Sequence, residues 1–218
     1  MKLVWSPETA SKAYLDTVKL CEKIKESEVA EFLSAMAAGW NAKFIVESWS
    51  NNGPIITSFG LAVAARNTGA RHVCIVPDEP STLQYTKAMA EIGVSPPPEV
   101  VAGEAEKVIP LLLGLDFLVV DCKEREFDRV LRVAKVGNSG AVLACKNAWQ
   151  RNVSGFKWNM ALDKDTRVVR SVFLPVGKGL DIAYIGSASG KVVTTNKVPS
   201  RWFKHIDQQS GEEHLFRK

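Results

Sequence analysis

Five short apolar runs in this chain of 218 residues each give way to acidic or polar side chains. Phe44-Ile45-Val46 is followed by Glu47-Ser48-Trp49-Ser50-Asn51-Asn52-Gly53, and His72-Val73-Cys74-Ile75-Val76-Pro77 by Asp78-Glu79. Gly103-Glu104-Ala105-Glu106 closes the third run, Asp121-Cys122-Lys123-Glu124 the fourth and Lys146-Asn147 the fifth. If the runs are strands of an open α/β sheet, these residues gather beyond the strands' carboxyl ends, where such folds hold their ligands. Carboxylates and an amide there can hydrogen-bond a small polar molecule, and Lys146, Lys123 or Glu124 can assist proton removal. Loops after strands are polar in any protein, which accounts for one such position well and for all five together poorly.

Several familiar chemistries are excluded by spacing. A dinucleotide fold wants G-x-G-x-x-G after its first strand so that backbone can approach a pyrophosphate, and only Gly53 stands there. Gly186-Ser187-Ala188-Ser189-Gly190-Lys191-Val192 imitates a phosphate loop but is one residue short, with Val192 where a magnesium-binding hydroxyl belongs. No G-x-S-x-G nucleophile elbow occurs. The four cysteines (21, 74, 122 and 145) form no C-x-x-C pair and the three histidines no metal spacing, so buried reduced thiols are expected and structural zinc is not. Cys122 and Cys145 end neighbouring strands, and packing is the reading favoured over redox chemistry.

The elements that would position these residues follow from pattern. Ser6-Pro7-Glu8 reads as a helix start, with a capping hydroxyl, proline at the first helical position and then an acid. A second helix begins near Ser27 and stops at Gly39. Strands are then expected at 43–48, 72–76, 100–103, 117–121 and 141–145, alternating with helices at 54–66, 81–92, 104–113 and 123–135. Four-residue apolar runs without polar alternation suit strands buried on both sides, hence a parallel sheet with helices on both faces. The segments 168–174 and 180–185 flank Pro175-Val176-Gly177-Lys178-Gly179 with no helix between them, which predicts an antiparallel hairpin.

Glu47 to Gly53, the Gly103-Glu104-Ala105 turn, Asp116 to Asp121, Gly140 to Asn147 and Leu174 to Leu180 together resemble, in order and spacing, the class I S-adenosylmethionine-dependent methyltransferases. The catechol and caffeoyl-CoA O-methyltransferase type is the most similar subgroup. The likeness spans roughly residues 27–186. The opening Met-Lys-Leu-Val-Trp-Ser-Pro-Glu-Thr-Ala and Ala-Met-Ala-Ala-Gly-Trp-Asn-Ala-Lys at 35–43 resemble a plant family of unknown function, domain of unknown function 1442. The methyltransferase resemblance implies an α/β, Rossmann-like, seven-stranded sheet, mostly parallel with an antiparallel C-terminal hairpin and helices on both faces. It implies S-adenosylmethionine as cofactor, with Glu47, Gly53, Asp78 (or Glu79), Glu104 and Asp121 as cofactor-binding positions. Glu47 matches the acid at the methionyl end, Asp78 the ribose position and Glu104 the acid near the adenine. Trp49 stands where the family has its first glycine, and an indole there removes close backbone approach and can fill part of the pocket.

The subgroup's metal site is altered. Asp121 and Asn147 match two of its ligands, but the middle one is Lys146. A protonated lysine has no lone pair to offer and adds positive charge, so a divalent ion should be excluded, the ammonium taking its place beside Asp121. The family's catalytic lysine corresponds to Glu124. Lys146, Asp121 and Glu124 are therefore the candidate catalytic residues, with no metal.

The net charge is +4, and residues 191–218 hold six basic residues against three acids, so the body is near neutral. The expectation is a methyltransferase-like domain at 1–190, including two N-terminal helices, and a basic tail at 191–218. In that tail Val198, Trp202, His205 and Ile206 fall at helical spacing, predicting a short amphipathic helix that docks on its own domain or on a twin subunit. Six lone basic residues without stacking platforms give little reason to expect nucleic acid. No apolar run approaches the roughly 18 residues of a membrane span and no signal-peptide core is present, so a cytoplasmic protein is expected. Two functions remain open. One is a metal-independent methyltransferase-like enzyme with a small-molecule acceptor or an unknown protein partner. The other is a non-catalytic binding or scaffolding protein of the same fold that has lost the cofactor.

Overall fold

The computed structural model describes residues 4–24, 29–50, 53–93, 95–151, 155–187, 202–206 and 213–217. Two helices, α1 (Pro7–Ile24) and α2 (Ala30–Gly39), precede the sheet, with Ser6 Oγ accepting from the Thr9 amide at 3.4 Å ahead of α1. The expected start of α2 at Ser27 lies outside the described residues. Then β1 (Phe44–Ser48), α3 (Ile56–Thr68), β2 (Arg71–Val76), α4 (Glu79–Ile92), β3 (Glu99–Ala102), α5 (Ala105–Val108), β4 (Phe117–Asp121), α6 (Phe127–Val133) and β5 (Ala141–Lys146) alternate. A short α7 (Trp158–Ala161) leads into β6 (Val168–Leu174) and β7 (Leu180–Ile185), whose bounds match the sequence reading.

The seven strands form one sheet in the order β3-β2-β1-β4-β5-β7-β6. β1 to β5 are parallel, whereas β7 runs antiparallel to both β5 and β6. The order reverses between β1 and β4, so the crevice of this fold opens above those two strands. One face packs Ala13, Leu33, Ile56 and Leu61 against Ile45, Phe117 and Val119, and the other packs Ile109, Phe127 and Leu131 against Val46, Leu118 and Leu143. This alternation within one strand is why the central runs read as continuously apolar. Gly60 lets α3 cross α2 closely, since a Cβ there would meet the Ala30 carbonyl oxygen at 2.6 Å.

Two helices are shorter than their apolar spacing predicts. Residues 104–113 divide into α5 and a single 3-10 turn, Ile109–Leu111, in which Pro110 has no amide to give an α-helical ladder. The helix expected from Lys123 begins only at Phe127, which leaves Lys123 and Glu124 on a loop. The tail differs in kind: Trp202–Ile206 is β8, paired antiparallel with β9 (Glu213–Arg217), not an amphipathic helix. Five residues are too few to separate helical from strand period, and Trp, Phe and Ile favour strands. Val198 and the expected boundary at 190 lie outside the described residues.

The start of α4 is set by Asp78, whose Oδ1 accepts from the Ser81 amide at 2.8 Å, with Pro80 in the first turn. Hydrogen bonding from the Ser81 side chain, then from its amide, holds the Asp78 carboxyl below its ordinary value. A depressed folded-state value means stability that is present above the unfolded value and lost as pH falls through the folded one. Asp78→Ala should therefore lower the melting temperature at neutral pH, with the difference from the parent closing on acidification below the ordinary aspartate range. Calorimetric melts across that range check this, and a gap independent of pH contradicts the capping role.

Candidate functional site

A cavity of about 600 Å³ opens above β1 and β4, within the size range of small-ligand sites. Ser48 at the end of β1 with Trp49 and Ser50 beyond it, Glu104 after β3, and Asp121 at the end of β4 with Lys123 to Phe127 beyond it line the cavity. Of the acids that the sequence reading brings to the strand ends, Glu104, Glu106, Asp121 and Glu124 lie in its wall. Glu104 stands at the N-cap of α5 with its Oε1 2.8 Å from Lys107 Nζ. Glu124 sits at the rim, where burial and the neighbouring Asp121 raise its carboxyl and Lys123 and Lys146 partly offset the rise.

Asp121 is the most heavily engaged group. Its Oδ1 accepts from the Lys123 amide at 3.0 Å and from Asn147 Nδ2 at 2.8 Å. Its Oδ2 accepts from Ser50 Oγ at 3.4 Å and lies 3.6 Å from Lys146 Nζ. Asp121 and Lys146 are register partners on β4 and β5, and their side chains are 1% and 4% exposed. Asn147 takes a left-handed backbone at φ 57°, a conformation asparagine tolerates better than most residues, and the turn aims its amide at the carboxylate. The divalent ion implied by the resemblance does not fit this set, because an ammonium already faces Asp121 and both carboxylate oxygens are taken. Among the described residues no group of three or more histidine, cysteine or acidic side chains is placed to hold a metal.

Other expected cofactor positions are occupied differently. Glu47 is 2% exposed and lies beneath the cavity rather than in its wall. Its Oε2 accepts from Ser58 Oγ at 2.9 Å, and its Oε1 lies 3.1 Å from His72 Nε2 and accepts from Tyr85 OH at 3.2 Å. Burial, then the Glu47 charge, pushes both the Tyr85 phenol and the Cys74 thiol well up, so both stay neutral around it. Trp49 packs its ring edge-to-face on Tyr85, centroids 5.6 Å apart, and is 6% exposed. Gly53 closes a turn by donating its amide to the Ser50 carbonyl at 2.8 Å, and a Cβ there would come within 2.8 Å of that oxygen. Neither Gly53 nor Asp78 lines the cavity. His72, Ser58 and Tyr85 were not singled out from sequence, for they reach Glu47 from three different elements.

On the far face Cys145 is buried beside Cys122, and Arg151 lies near Cys122 and pairs with Asp181 at 2.5 Å. Trp158 Nε1 donates to the same aspartate at 2.8 Å. Among the described residues no disulfide joins the cysteines.

If Glu47 is structural, Glu47→Ala should cost on the order of 3 kcal/mol, because three donors lose their acceptor in a dry site. Glu47→Gln, which keeps shape and one acceptor, should cost visibly less. Urea unfolding of both variants is the check, and unchanged midpoints with altered ligand binding would instead place Glu47 in the ligand site.

No curated protein matches the sequence. Among solved structures, a methyltransferase from Geobacter sulfurreducens is 18% identical, covering 81% of this chain and 90% of its own, with a TM-score of 0.59. A methyltransferase from Podospora anserina, bound to S-adenosylhomocysteine, is 17% identical over 84% of this chain and 89% of its own, with a TM-score of 0.56. The O-methyltransferase from Bacillus cereus in complex with S-adenosylhomocysteine is 12% identical over 80% and 90%, with a TM-score of 0.51. At these identities the likeness shows the fold, which is the Rossmann-like methyltransferase fold. The family profile described as a protein of unknown function, DUF1442, matches residues 1–218, and the chain belongs to that family.

Proposed function

We propose that the protein is methyltransferase-like, binding S-adenosylmethionine in the cavity above β1 and β4 and working without a divalent ion. The observation that carries the metal-independent reading is the buried Lys146–Asp121 pair at 3.6 Å. One positive charge beside the carboxylate supplies locally what an ion would supply, while the ammonium excludes the ion by charge and by volume. Glu104, held only by an exposed pair with Lys107, is the wall acid placed to meet ribose or adenine groups, whereas Asp121 is committed to its internal partners. Glu124, its carboxyl raised by burial and by Asp121, is the rim group suited to accept a proton from an acceptor, since efficiency in that role rises with basicity. The acceptor is a small molecule or a side chain of a partner protein. A second reading, a binding protein of this fold without methyl transfer, is favoured by the full commitment of Glu47 to its three internal partners.

Titration of the protein with S-adenosylmethionine by calorimetry should give binding heat, and the melting temperature should not respond to millimolar Mg²⁺. Lys146→Asp, which rebuilds an acidic pair beside Asn147, should make the melting temperature rise with Mg²⁺. A parent protein that binds Mg²⁺ overturns metal independence, and absence of any heat overturns the cofactor reading.

A further inference from the structure

We infer that the β8–β9 hairpin is a two-histidine site for a divalent transition-metal ion of the Zn²⁺ and Ni²⁺ class. The juxtaposition that carries it is one register pair, His205 of β8 opposite His214 of β9. It stands apart from the cofactor reading and from the cavity above β1 and β4.

Linear spacing hides the pair. His205 and His214 are nine positions apart, which suits no ligand pattern on a helix, and a helix is what the apolar spacing of this segment predicts. The antiparallel ladder turns that distance into direct opposition. His72, the third histidine, is committed to Glu47 and takes no part.

Residues directly opposite on an antiparallel pair share a face and have Cβ atoms about 4.5–5.5 Å apart. Zn²⁺ takes imidazole nitrogens at about 2.0–2.1 Å in tetrahedral geometry, which sets two of them about 3.3 Å from one another. Two imidazoles rooted that close can meet one ion without any shift of the strands. Imidazole is largely neutral at physiological pH and suits Zn²⁺, Ni²⁺ and Cu²⁺, whereas Mg²⁺ requires oxygen ligands.

The neighbouring register pairs leave the position free for a cation. By strand alternation Phe203 and Phe216 share the histidine face, and the basic positions Lys204 and Arg217 fall on the other. Glu213 also falls on the other face, opposite Ile206, so it adds no third ligand there and the remaining coordination goes to water. Affinity is accordingly moderate. The hairpin is a two-stranded sheet of its own, and such a pair is marginally stable in water. An ion joining both strands stabilises the paired form by mass action.

The experiment is calorimetric titration of the full chain with Zn²⁺ and, separately, with Ni²⁺. One ion per chain should bind with a micromolar dissociation constant. His205→Ala and His214→Ala should each weaken binding by about tenfold or more. The double variant should lie within about twofold of either single one, because a chelate is lost with its first ligand. Lys204→Ala, at a position on the other face, should bind as the parent does. Zn²⁺ should also slow amide hydrogen exchange at 202–206 and 213–217. Absence of heat with both ions overturns the inference, as does binding that survives in the double variant. Losses that multiply from single to double variant overturn the chelate in favour of two separate histidines. If a variant does not fold, the ring-proton resonances of His205 and His214 in the parent decide: Zn²⁺ moving both supports the site, and moving one or neither overturns it.

Discussion

A carboxylate buried where water cannot reach it has to be answered by donors, and the Glu47 carboxylate dictates much of the arrangement above β1. Its partners come from α3 (Ser58), β2 (His72) and α4 (Tyr85), so one side chain ties three elements to the central strand. Losing any donor would leave a charged or polar atom unpaired in a low-dielectric site, which costs more than a surface bond returns. The positions of α3 and α4 over the sheet are therefore constrained by one acid as well as by apolar contact. Because α4 is held there, Tyr85 presents its ring to Trp49, and Trp49 becomes part of the cavity wall.

A second buried charge is answered in a different way one strand over. Asp121 is met by an ammonium, an amide side chain, a backbone amide and a hydroxyl. Breaking such a pair is costly even where its formation contributes little, because the partner left behind stays buried. That makes the Lys146–Asp121 pair self-maintaining. With Asp121 present, an apolar residue at 146 would strand the carboxylate, and an acidic one would set two like charges side by side unless a cation joined them.

Much of this was legible in the sequence. Apolar four-residue runs marked the central strands, the Pro175–Gly179 turn marked the β6–β7 hairpin, and the polar residues after the first, third and fourth runs marked the cavity edge. The exchange of a ligand for Lys146 was legible only through the resemblance to the O-methyltransferases, which implies an acid at that position. Asp78-Glu79-Pro80-Ser81 carries a helix-start signature that was there to be read as a cap, and in the structure Asp78 caps α4 and stands outside the cavity wall. Short helices were less legible, since one proline or one polar loop shortens them against their apolar spacing. The destination of the Glu47 carboxylate was not legible at all. Its partners lie 11, 25 and 38 residues away, and no local pattern distinguishes an acid aimed at a ligand from one aimed at the protein's own interior.

The two departures at the mouth of β1 are coupled through Tyr85, which donates its hydroxyl to Glu47 and lends its ring to Trp49. A glycine at 49 would reopen space above β1, but the carboxylate would remain turned inward as long as His72, Ser58 and Tyr85 hold it. Turning it outward would require removing the donors, and those donors are also what keep α4 and β2 in place around a buried charge. An outward turn of Glu47 is thus opposed by the stability of the fold itself. The opposite wall of the cavity, made of apolar side chains and the exposed Glu104, is under no such constraint.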